Sequence, residues 1–85
     1  MKLAQFHSKY KENFSIEVAP PEWSLFFTYK IRDLIIHIEW YSDEDLAFYH
    51  IYKDSFKGPV LVKSSKGTSL NRSLTEIDNY IRNLI

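Results

Sequence analysis

The chain has no cysteine. A disulfide staple and a thiolate zinc site are both excluded, so packing must supply the stability. Glycine occurs only twice and proline three times. With so few breakers there is no linker-like stretch, no low-complexity tract and no internal repeat. Formal charge is zero, 11 basic residues against 11 acidic ones. That balance gives no overall pull towards nucleic acid or an anionic membrane. No stretch approaches the roughly 18 apolar residues that span a bilayer. The start, "MKLAQFHSKYKENF", has no apolar run of signal-peptide length. A cytoplasmic protein that does not cross a membrane is expected. The sequons Asn13-Phe14-Ser15 and Asn71-Arg72-Ser73 then count as coincidences.

What is present is enough chain for one domain and a high share of rings. Residues 1–85 read as a single domain. A chain of this length buries only about 60–65% of its unfolded surface. Aromatic residues make up 16% of it, and large rings fill a small core efficiently.

Periodicity supplies the elements. Leu3, Phe6 and Tyr10 stand at i, i+3 and i+7, one face of a short helix. Phe14, Ile16 and Val18 alternate with Ser15 and Glu17, a strand that Pro20-Pro21 should end. "SLFFTYKI" and "LIIHIEWY" then read as a hairpin turning at Arg32-Asp33. Ile31 faces Leu34, Tyr29 faces Ile36, Phe27 faces Ile38 and Leu25 faces Trp40, all apolar as cross-strand packing wants. The other face pairs Lys30 with Ile35, Thr28 with His37, Phe26 with Glu39 and Ser24 with Tyr41. A one-residue slip would ruin both patterns. Ser42-Asp43-Glu44-Asp45 makes the next turn and sets Tyr41 against Leu46. A short strand through "PVLVK" follows, and "SSKGTSLNR" reads as loop. Ser73 and Glu76 match a capping box opening a helix of about twelve residues, with Leu74, Ile77, Ile81 and Leu84 on one stripe. The expected fold is α+β: an antiparallel meander of four to five strands, a C-terminal helix on one face and a short N-terminal helix.

The second face raises the functional question. It carries Phe26, Ile35, Tyr41, Leu46, Phe48 and Tyr52, interrupted by Thr28, Lys30, His37, Glu39 and His50. The N-terminal segment folding back over it is one explanation. Scattered exposed rings that need no explanation are another. A surface for a partner is the third, since interfaces favour Tyr, Trp and Phe inside a polar rim.

Sites for chemistry are sparse. His37 and His50 face each other with Glu39 nearby, but a zinc site wants a fourth ligand. Asp43-Glu44-Asp45 lacks the turn glycine and the extra oxygens of a calcium loop. "SSKGTS" does not match the phosphate-loop pattern. No metal, no cofactor and no catalytic set is expected. Charge is uneven along the chain: the Asp33–Asp45 stretch is acidic, and the Lys53–Arg72 stretch is mostly basic. The acidic turn and the basic loops are expected at different places on the sheet.

The sequence therefore points to a small non-enzymatic interaction domain of regulatory, inhibitor or immunity/anti-defence type. It would bind a protein partner, or itself as a homodimer, through Phe26, Ile35, Tyr41, Asp43, Glu44, Asp45, Phe48, His50 and Tyr52. The alternative is a nucleic-acid-binding module using Lys57, Lys63, Lys66 and Arg72, with rings stacking on bases. Few phosphate contacts would make such binding salt-sensitive. A small-ligand binder, with rings lining a cup between sheet and helix, is the second alternative.

Overall fold

Alternating side chains in the sequence become a five-stranded antiparallel meander in which every strand neighbours the next in the chain. The computed structural model describes residues 1–12, 14–19 and 24–84, the side chains of 16–19 excepted. The strand end expected at Pro20-Pro21, like Asn13 of the first sequon, lies outside those residues. The elements are α1 (Leu3–Tyr10), β1 (Phe14–Ala19), β2 (Ser24–Ile31), β3 (Leu34–Tyr41), β4 (Leu46–Lys53), β5 (Val60–Ser64) and α2 (Leu70–Arg82).

β2 and β3 pair as the alternation requires, from Ile31 opposite Leu34 to Ser24 opposite Tyr41. β4 continues the pattern, with Tyr41 opposite Leu46 and Ile36 opposite Ile51. The turns between them carry the backbone strain. Arg32 has φ 56° and Asp45 φ 47°, left-handed values that non-glycine residues adopt mainly in turns. One face of the sheet thereby has an apolar centre: Phe27 and Tyr29, Leu34, Ile36 and Ile38, Ala47, Tyr49 and Ile51 are buried.

α2 lies on that face through Leu70, Leu74, Ile77 and Ile81, all buried. Each such side chain contributes roughly 1.5–3 kcal/mol, which offsets the marginal stability of an isolated helix of this length. The helix starts earlier than the S-x-x-E pattern indicates. Ser69 is the cap, its Oγ accepting the Arg72 N–H at 3.2 Å. The Asp45 carboxylate accepts the Leu70 N–H at 3.1 Å. Ser73 is instead buried inside the helix, its Oγ without a hydrogen-bond partner among the described residues. Leu70, Asn71 and Arg72, expected in a loop, therefore belong to α2. Leu84, expected on the buried stripe, lies beyond α2 and is exposed.

α1 decides a choice that the sequence left open. It does not fold over the far face of the sheet. Phe6 is fully buried on the same face as α2, its ring 5.0 Å from Tyr29 and 4.8 Å from Tyr10. Polar contacts clamp the two helices. Lys9 Nζ lies 2.6 Å from Asp78 Oδ1, and the Tyr10 hydroxyl donates to the same oxygen at 2.6 Å. Arg82 Nε stands 3.4 Å from Asp78 Oδ2. Burial alone would push the Asp78 carboxyl up. The bonds from Lys9 and Tyr10, with the charges of Lys9 and Arg82, outweigh it and hold the group below its ordinary range. Burial also drives the Tyr29 phenol up to about 12.

Candidate functional site

With both helices on one side, the reverse of the sheet is covered by neither of them. Cross-strand neighbours there form rows: Phe26, Glu39 and Phe48; then Thr28, His37, His50 and Ser64; then Lys30, Ile35, Tyr52 and Leu61. Tyr41 and Leu46 close one end. Phe26, Ile35, Tyr41, Leu46, Phe48, His50 and Tyr52 are all part-exposed, while His37 and Lys30 are exposed. The six apolar residues predicted for this face are thus brought together on it.

The rings hold one another in place. His37 meets Tyr52 edge-on at 5.6 Å, and His50 stacks near Tyr52 at 6.4 Å. Tyr41 and Phe48 meet edge-on at 6.4 Å. Thr28 Oγ1 and His37 Nδ1 lie 3.1 Å apart. The Tyr41 hydroxyl donates to Glu39 Oε1 at 2.6 Å, a bond that raises the phenol above its ordinary value. Side chains already fixed in this way lose less entropy when a partner arrives.

One corner is roofed by the chain itself. After β5 the backbone continues antiparallel alongside the start of β4, where Thr68 and Ala47 exchange both hydrogen bonds. Gly67 passes over Phe48 so closely that a Cβ there would stand 2.7 Å from Phe48 Cε1 and 3.3 Å from Leu46 Cδ1. Its φ of +102° also suits only glycine.

The acidic turn divides. Asp43, Glu44 and Asp45 are all exposed. Asp45 is tied inward, accepting the Trp40 Nε1–H as well as the Leu70 N–H, each at 3.1 Å. It thereby supplies a negative charge at the start of α2, where the helix dipole favours one. That bond also brings the start of α2, two residues before Arg72, beside the acidic turn, whereas Lys57 lies past the other end of β4.

The basic residues divide as well. Lys63, Lys66 and Arg72 line one depression of about 360 Å³ with Tyr49 and Glu76. Arg72 Nε stands 3.5 Å from Glu76 Oε2, and Glu76 Oε1 accepts the Tyr49 hydroxyl at 2.8 Å. Lys57 does not join them; it lies in the turn before β5, where the Gly58 N–H donates to the Ser55 carbonyl at 2.9 Å. His37 and His50 do face each other, yet no group of three or more metal-ligating side chains gathers among the described residues. Between sheet and helices, where rings were to line a cup, Phe6, Tyr29, Tyr49 and Leu74 are completely or almost completely buried.

Sequence reasoning passed over the free edge of the sheet. Val60, Leu61 and Val62 of β5 are exposed, as are Phe56 before it and Leu84 after α2. The available signal was the unbroken apolar run "PVLV" in the last strand of a meander, since the last strand of an open meander is an edge. No described helix is long and apolar enough to cross a membrane. No protein-family model, curated protein or solved structure matches the chain.

Proposed function

We propose that this protein is a small non-enzymatic interaction domain of regulatory, inhibitor or immunity/anti-defence type. It acts in the cytoplasm, where a chain without cysteine needs no oxidising compartment. The single observation behind this reading is the placement of both helices on one face of the sheet. Phe26, Ile35, Tyr41, Phe48, His50 and Tyr52 then remain on the other face, part-exposed, with Tyr41 braced by Phe48 and His50 by Tyr52. Such a mixture of rings and hydrogen-bonding groups suits the centre of a protein interface. Asp43 and Glu44 stand beyond the Tyr41 end and would orient a partner with a basic rim. The partner is another protein.

Capture from the native host tests it, using wild type and a Phe48→Asp variant. The reading expects one protein to be retained by wild type and lost with the variant, while helix content and melting are unchanged. Equal retention by both would remove the open face as the site. Retention of nucleic acid instead, released at modest salt, would favour the depression around Lys63, Lys66 and Arg72.

A further inference from the structure

The sheet has a second unfinished surface, its β5 edge. β5 pairs with β4 on one side and with no described strand on the other. An edge strand presents unpaired N–H and C=O groups, which natural proteins guard with charge, proline or a bulge. Here Pro59 precedes the strand, and the register shifts opposite Ile51 and Tyr52. The shift makes Val62 the extra residue between Leu61 and Lys63, and the strand around it is apolar and exposed: Val60 is 52%, Leu61 50% and Val62 40% accessible. On the helix side Val62 shares a depression of about 390 Å³ with Tyr80, Ile81 and Leu84, and Leu84 is itself 51% accessible.

We infer that this edge is a self-association site: a second copy of the chain adds its β5 antiparallel to this one, with Leu61 opposite the partner's Leu61. The register carries the argument. Leu61 lies opposite Tyr52, so its side chain is on the open face. Val60 lies opposite Lys53, on the helix side, where Val62 also points. A two-fold axis at Leu61 therefore sets leucine against leucine on one face. It sets Val60 against the partner's Val62, twice, on the other.

Apolar residues meet apolar residues at every central position, as strand pairing favours. Lys63 falls opposite the partner's Pro59, so no like charges are juxtaposed. A net charge of zero adds no long-range repulsion between copies. The two-fold consumes both β5 edges and closes the assembly at two chains. A five-residue edge buries less than the roughly 1,200 Å² of a stable interface, so the dimer is concentration-dependent. Both open faces then look the same way from one continuous sheet, a bivalent display.

Sedimentation over a wide concentration series tests the proposal. Wild type rises from 10.2 kDa towards twice that mass. Leu61→Lys stays at the monomer mass with unchanged melting, and Phe48→Asp associates like wild type. A wild-type mass that never rises overturns the proposal. So does a Leu61→Lys variant that associates as wild type does, or loss of association in Phe48→Asp alone. Because the chain has no other thiol, a Leu61→Cys variant adds a second readout. Its disulfide-linked dimer should form much faster than that of Asp43→Cys, whose side chain is equally free to collide. Equal rates would also overturn the proposal, whatever the fate of the lysine variant.

Discussion

The Phe6 ring meets Tyr29 edge-on, with centroids 5.0 Å apart and planes at 86°. Such a pair contributes about 0.5–1.5 kcal/mol beyond its buried area. The contact also has a topological consequence. It commits α1 to the side of the sheet that α2 already covers, and so leaves the reverse side without a helix.

Phe6→Ala should therefore cost about 3–5 kcal/mol, as ring deletions in a closed core do. Phe26→Ala on the reverse face should cost less than about 1 kcal/mol, since its ring is already partly in water. Urea denaturation of both variants makes the comparison. Similar losses for the two would mean that the reverse face is buried too, and the functional reading would fail with it.

Asp78 links the two helices and should give the stability a pH signature. Its carboxyl lies below the ordinary 3.8 in the folded chain, so its contribution is present above that value. It is lost as pH falls through the folded value. The bond to Asp78 raises Lys9 above 10.5. That contribution is present below 10.5 and is lost as pH rises through the folded value. Asp78→Asn should cost roughly 1–3 kcal/mol at neutral pH, the usual range for breaking hydrogen bonds at a buried group. It should also flatten the acid limb of the urea midpoint plotted against pH. An acid limb identical to that of wild type would show that the clamp does not hold α1.

Gly67 and Gly58 form a natural pair of controls. Both have positive φ, +102° and +109°. A Cβ at Gly67 would strike the Phe48 ring, whereas one at Gly58 would meet nothing within 4 Å. Gly58→Ala should carry backbone strain alone, of order 1–3 kcal/mol. Gly67→Ala should lose more and should shift the Phe48 ring resonances. Equal losses, with those resonances unmoved, would mean that the loop does not brace that corner of the open face.

Much of the sheet was legible in the linear chain. Alternation with period two, together with the short turns at Arg32-Asp33 and Ser42–Asp45, leaves one pairing that keeps Phe27 against Ile38 and Ile36 against Ile51. The amphipathic stripe of Leu74, Ile77 and Ile81 likewise announces α2. Its start was not legible, because Ser69 and Ser73 both resemble caps. The earlier frame is set by Asp45, 25 residues upstream, through the Leu70 N–H. The exposure of Val60, Leu61 and Val62 was equally hidden, for an apolar strand reads the same whether or not a neighbour covers it.

Composition and alternation alone determined that this chain makes a sheet with an apolar side, an amphipathic helix to seat on it, and rings left over on the reverse. Only the tertiary structure decided which side receives the first helix. The stripe of Leu3, Phe6 and Tyr10 is oily enough to lie against either face, so local pattern cannot choose between them. The choice is made by contacts between residues far apart in the chain. Lys9 meets Asp78 across 69 positions and Phe6 meets Tyr29, which leaves Phe48 and Tyr52 on the face that neither helix covers.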